Sequence, residues 1–284
     1  MLGLSSTYFA FKGKGIYDSA KAVFDLWFDT VELGAGHVFE PRALGAVKRL
    51  KRDFPDKNYT VHGLFPPLRE KLWFNASLGL TPKNRRIISG MFKAAEATEA
   101  GVVSIHPGFL SELGPVGDAG GMSNPRPLRA IQKEKCLRNF YSVVRYSLGL
   151  AKNTGAAFAI ENINGKEAKP LVESVSDFRS VFSLFPELWM LFDYGHALFG
   201  ENTEGLLGNF SEKIEQVHLH WSAPGSAKHT AEDHAPITSA KQLEPLRKIR
   251  RIAEIPVIFE HGANVGEAEI AAEKKLTETF FENF

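Results

Sequence analysis

The chain has 284 residues, 44% of them hydrophobic and 24% charged, which fits one large globular domain over residues 1–284 better than two ordinary ones. Its 34 Lys and Arg balance 33 Asp and Glu, so the global charge offers no reason to expect a polyanionic partner. Cys136 is the only cysteine, which excludes an internal disulfide and a cysteine metal cage and leaves imidazole and carboxylate for any transition-metal site. No apolar run approaches the roughly eighteen residues of a membrane span and no basic leader precedes an apolar core, so the expectation is a cytoplasmic protein with no membrane partner.

In chain order, short β-branched and aromatic runs alternate with longer segments of helical spacing. The predicted strands are Leu2–Thr7, Thr30–Leu33, Tyr59–Leu64, Val102–His106, Ala157–Asn162, Trp189–Asp193, Ile214–His220 and Val257–Glu260. Between them the spacing predicts helices over Asp18–Phe28, Pro41–Asp53, Lys83–Ala100, Pro127–Thr154, Ser239–Ala253 and Glu267–Phe281, with Glu201–Phe210 less defined. Eight β/α units in about 250 residues predict a closed (β/α)8 barrel. Gly13-Lys14-Gly15 after the first strand lacks the third glycine of a dinucleotide-binding turn and reads as a plain loop. Two long connections, Pro107–Pro127 and Trp221–Thr238, follow strands that end in histidine and point to a covered site.

The strand ends carry metal-ligand side chains again and again: His62, His106, Glu161, Asp193 with His196, His218 with His220, and Glu260 with His261. In a barrel these ends meet at one mouth. Carboxylates that close apolar strands such as Ala157–Ile160 cost several kcal/mol to desolvate unless a cation or donors meet them. Three of them at one mouth repel one another, and a divalent ion is the economical reason to hold them together. His37, His229 and His261 read as loop residues. Trp73, Phe74 and Trp221 read as packing or as an apolar wall for a ring.

Taken together these motifs resemble the xylose isomerase-like barrels, a group that includes sugar isomerases and epimerases as well as the endonuclease IV enzymes of AP endonuclease family 2. The resemblance runs over most of the chain. The family's Glu, Asp, His, Glu tetrad matches Glu161, Asp193, His218 and Glu260; its Asp-x-x-His matches Asp193 and His196, and its Asp-x-His matches Glu232-Asp233-His234 with Glu in place of Asp. His62 with Asn75-Ala76-Ser77, and His106-Pro107-Gly108, match the endonuclease IV pattern. The resemblance implies His62 and His106 on one ion, His196, Glu232 and His234 on another, and the tetrad between them. The cofactor it implies is a divalent metal, one to three ions, zinc first, with manganese or cobalt as alternatives.

Departures pull the other way. His218 leads into Leu219-His220-Trp221-Ser222 where endonuclease IV has Asn-Asp-Ser, and Val31-Glu32-Leu33 resembles the Glu-Leu of the sugar branch. The first expectation is therefore a metal-dependent isomerase or epimerase acting on a sugar, sugar phosphate or polyol ketone. In that reading Glu161 or Glu260 moves a proton through a metal-stabilised enediolate, and Glu32, His220 and Trp221 contact substrate. The alternative is a multinuclear zinc phosphodiesterase acting on abasic DNA. The sequence leaves substrate and oligomeric state open.

Overall fold

The computed structural model describes residues 1–70, 73–114, 126–165, 168–200, 202–223 and 234–283. Its centre is a closed parallel barrel whose strands follow one another around the ring in chain order. They are β1 (Leu2–Ser5), β2 (Thr30–Leu33), β3 (Asn58–His62), β4 (Val102–Ile105), β5 (Ala157–Glu161), β6 (Trp189–Asp193), β7 (Ile214–Leu219) and β8 (Val257–Phe259), with β8 pairing back onto β1. The (β/α)8 expectation therefore holds.

Strand period two divides each strand between two environments. Val31, Val61, Val103, Phe158, Ile160, Phe192 and Val217 join the large core shared with the helices, while Val102, Ala159 and Leu191 form a separate small apolar layer. Alternate positions next along the chain from that layer are polar: Ser104, Glu161 and Asp193, all buried. One irregularity in register decides where His218 points. Met190 pairs with Ile214, but Leu191 already pairs with Gln216, so Glu215 is an extra residue in β7 and Asp193 comes opposite His218. Without that bulge the partner of Asp193 would be Val217, whose side chain lies on the other face.

The helices differ from the sequence reading at three places. Pro127–Ala130 pairs with Ser111–Leu113 as a small antiparallel excursion, and the long helix begins only at Lys133. Pro245 breaks the expected Ser239–Ala253 helix into a short turn, Ala240–Leu243, and a 3-10 segment, Glu244–Lys248, because proline offers no N–H to the helical ladder. Val175–Leu184 is a helix opened by a capping box between Ser174 and Asp177. Among the described residues no helix is long and apolar enough to cross a membrane. Cys136 is buried.

Candidate metal centre

Four strands deliver the tetrad to one point. Glu161 and Asp193 are the last residues of β5 and β6, His218 is the penultimate residue of β7, and Glu260 follows β8 directly. His218 Nδ1 lies 3.5 Å from Glu260 Oε2, 3.7 Å from Asp193 Oδ2 and 3.9 Å from Glu161 Oε1. This nitrogen is fully buried and makes no hydrogen bond. Ligand atoms held about 2.1 Å from a tetrahedral zinc sit about 3.4 Å from one another. An orphaned buried nitrogen surrounded by three carboxylate oxygens at nearly that spacing fits a cation better than it fits a network of protons.

The opposite edge of the His218 ring explains its orientation. Its Nε2 lies 2.8 Å from Glu32 Oε2, which also accepts a bond from Gln216 Nε2 at 2.6 Å. A carboxylate acceptor there places the ring proton on Nε2 and leaves Nδ1 its lone pair, the arrangement by which outer partners aim metal-binding histidines. Burial raises the pKa of Glu32, but the neighbouring His218 outweighs it and the net direction is down. Glu32 was expected to contact substrate. It is wholly buried, with its Oε2 against His218 and Gln216.

A second group forms around the other oxygen of Glu161. His62 Nε2 and His106 Nε2 lie 3.2 and 3.1 Å from Glu161 Oε2, yet no donor is aligned for a hydrogen bond to that oxygen. The His62 ring is held from behind by a 2.9 Å contact between Nδ1 and Ser104 Oγ. The loop that follows His106 is braced by Asn75, whose Oδ1 accepts the Phe109 N–H at 3.0 Å and whose Nδ2 donates to the Ser111 carbonyl at 2.8 Å. Gly108 passes so close, with φ +98°, that a Cβ there would sit 2.6 Å from Asn75 Oδ1. The Asn75-Ala76-Ser77 and His106-Pro107-Gly108 motifs thus work as one piece.

A third group brings together His196, His220 and His234, whose candidate ligand atoms lie within 4.8 Å of one another. His196 also bridges to the tetrad, with Nδ1 3.3 Å from Glu161 Oε1 and 3.4 Å from Asp193 Oδ2. Asp193 caps the short helix Tyr194–Phe199 by accepting the His196 N–H at 2.6 Å. His220, also expected at substrate, is fully buried: its Nε2 lies 3.1 Å from Asp193 Oδ1 and its ring stacks on His234 at 3.8 Å. It fills the space over Gly195, where a Cβ would lie 1.9 Å from the ring. Trp221 pairs its backbone with Ala235 and packs part-buried on the core. Glu232 and His229 lie outside the described residues.

Two histidines read as loop residues are buried. His37 sits beside Ser6 Oγ at 2.9 Å, and burial lowers its pKa to about 4. His261 lies between His234 and Glu273. Ser104, Gln216 and Glu273 were missed by sequence reasoning. The alternation Gln216-x-His218-x-His220 was the available signal for Gln216; Glu273, midway along a helix, had none.

The charges respond to this crowding. Burial alone would raise Glu161, yet His106 and His62 hold it well below the ordinary carboxylate range. Asp193 is held low against burial by His196 and His220. Glu260 moves the other way, raised by burial and by the Glu161 and Asp193 charges despite His218. His196 is raised to about 9, with Asp193 outweighing burial, whereas burial lowers His62 to about 4.

A family model for the xylose isomerase-like TIM barrel matches residues 21–274. No curated protein sequence matches the chain significantly. Solved structures share the fold over nearly the whole length. A D-tagatose 3-epimerase-like protein aligns with TM-score 0.69 at 18% identity, covering 99% of this chain and 97% of that one. The IolI protein with a bound zinc atom aligns with TM-score 0.70 at 15% identity, covering 100% and 98%. The D-psicose 3-epimerase of Clostridium cellulolyticum H10, solved with D-tagatose, aligns with TM-score 0.67 at 14% identity, covering 99% and 98%.

Proposed function

Since the chain belongs to the xylose isomerase-like TIM-barrel family, we propose that it is a divalent-metal-dependent isomerase or epimerase. Its substrate in this reading is a sugar, sugar phosphate or polyol ketone, whose proton moves through an enediolate. The observation that carries the proposal is the meeting of Glu161 and Glu260, from strands on different sides of the ring, at His218 Nδ1. Two carboxylates facing one point suit the removal of a carbon-bound proton on one face and its return on the other. The epimerase names among the fold relatives agree with this chemistry.

The tetrad would hold the ion, and its mixture of imidazole and carboxylate suits zinc, manganese or cobalt. When bound, a divalent cation supplies Lewis acidity toward a carbonyl and its neighbouring hydroxyl. Glu260, 13% exposed against 1% for Glu161, is the carboxylate nearer solvent and takes the role of first proton acceptor. Glu161, ionised at rest, takes up a proton from solvent and delivers it from the other side, while Glu260 gives the one it removed back to solvent. Return to the opposite face gives an epimer; return to the adjacent carbon gives an isomer. Asp193, anchored by the His196 N–H and facing His220 Nε2, holds its carboxylate still during the transfer.

A second reading, a multinuclear phosphodiesterase on abasic DNA, draws on the gathering of His62 and His106 at Glu161 Oε2 and of His196 and His234 beyond the tetrad. The experiment that tests the first strips the protein with chelator, reloads it with Zn2+, Mn2+ or Co2+, and follows a panel of ketoses by chromatography. Metal-restored conversion of a ketose supports the isomerase. Nicking of an abasic duplex with no sugar converted supports the phosphodiesterase.

A further inference from the structure

Behind the third histidine group lies a buried ion-pair geometry. Glu273, in the helix Glu267–Glu282, and His261 are both buried, with His261 Nε2 2.6 Å from Glu273 Oε2. The second ring nitrogen, His261 Nδ1, lies 2.9 Å from the carbonyl of His234, and the second carboxylate oxygen, Glu273 Oε1, accepts the Ile237 N–H at 2.8 Å. Two side chains thus grip residues 234 and 237 of one loop. The His234 carbonyl can only accept, so Nδ1 carries a proton, and a second proton lies between Nε2 and Glu273 Oε2.

The loop they grip is under constraint. His234 has φ +67°, a left-handed conformation disfavoured for a residue with a Cβ. Its neighbour Ala235 exchanges two backbone hydrogen bonds with Trp221, of 2.7 and 3.1 Å. In that conformation the His234 ring turns back so that Nδ1 meets the Glu260 carbonyl at 2.9 Å. The bond fixes the proton on Nδ1 and leaves Nε2 for the group formed with His196 and His220.

A buried ion pair adds little net stability over an apolar pair of equal volume. Its value lies in geometry. We infer that His261 and Glu273 are positioning residues: they hold the backbone of His234 in its left-handed turn and so aim its Nε2 at the group it forms with His196 and His220. This rests on the metal-dependent reading above.

The test is a titration of the metal-free full chain with Co2+, reading the visible absorption of the bound ion and the number of ions per chain. Variants are His261→Phe, which keeps the ring but cannot donate, Glu273→Gln, which keeps the shape, and His234→Ala as a direct control. The expected result is that the first two lower Co2+ affinity of the weaker class of site by about 10–100-fold and leave the stronger class unchanged, with far-ultraviolet circular dichroism as for the parent. If His261→Phe does not fold, Glu273→Gln carries the same expectation. Loss of the weaker site in His234→Ala but not in folded His261→Phe or Glu273→Gln overturns the positioning role alone. An unchanged titration in His234→Ala overturns the underlying metal reading at this subsite and the inference with it.

Discussion

The mouth of the barrel has two halves built differently. Glu161, Asp193 and His218 ride on strands, locked in register with their neighbours, and the partner that aims His218 is itself the strand residue Glu32. His106, His196 and His234 stand beyond the strands on loops or a short helix, and each needs separate bracing: Asn75 for the first loop, Asp193 for the helix, His261 and Glu273 for the last. The difference teaches where precision comes from. A strand inherits its geometry from the whole ring, whereas a loop position is only as fixed as the few side chains that hold it.

The largest effect that would sharpen this contrast comes from the strand half. Asp193→Ala or His218→Ala removes one of the proposed ligands and leaves mutually repelling carboxylates, so tetrad affinity should fall by more than about 100-fold, exceeding the usual effect of an outer partner. Elemental analysis after dialysis checks it, and unchanged metal content in either variant would break the comparison.

Glu32→Gln should come next. It keeps the shape but removes the carboxylate that fixes the His218 tautomer, and tetrad affinity should drop about 10–100-fold. A Zn2+ titration against a competing chelator reads the change; parent-like affinity would mean that Glu32 does not orient the ring.

In Gly195→Ala the new Cβ meets the His220 ring at 1.9 Å in the unrelaxed geometry. We expect a loss of about 1–3 kcal/mol in chemical denaturation, typical of overpacking, as the ring is pushed off Asp193. Stability equal to the parent would show that His220 moves freely.

The smallest effect separates burial from charge. His37 is buried beside Ser6 Oγ, and burial takes its pKa to about 4, whereas His218, beside Glu32 and Glu260, is raised despite burial. A depressed histidine stays neutral when folded, so its stabilising contribution is present above the unfolded value of about 6.5 and is lost as pH falls toward about 4. Replacing it in His37→Gln should flatten the stability decline between pH 7 and 5 by about 1–2 kcal/mol. An unaltered decline would locate the acid sensitivity elsewhere.

The two halves also differ in how far they could be read from sequence. Apolar strands ending in Glu161, Asp193 and Glu260 announce themselves, because an ionisable group after four apolar residues needs a reason. The eight alternating units likewise gave the barrel. The extra residue Glu215 did not show, since a bulge changes register without changing composition. Glu32 was visible, but its partner was not: the pairing with His218 spans 186 residues and exists only once the ring closes. Glu273 reads as one more helix carboxylate, and its burial depends on a loop that arrives from elsewhere in the chain. The helix at Val175–Leu184 was missed although its Ser174 and Asp177 capping box lay in plain view.

The central claim is that this mouth moves a carbon-bound proton using Glu260 and the tetrad ion. Its most direct test incubates the metal-loaded protein with ketoses in D2O and follows deuterium entering the carbon next to the carbonyl by NMR. We expect incorporation into at least one ketose, abolished in Glu260→Gln and retained in His234→Ala. No incorporation into any ketose, together with nicking of an abasic duplex that disappears in both His106→Ala and His234→Ala, would contradict the account.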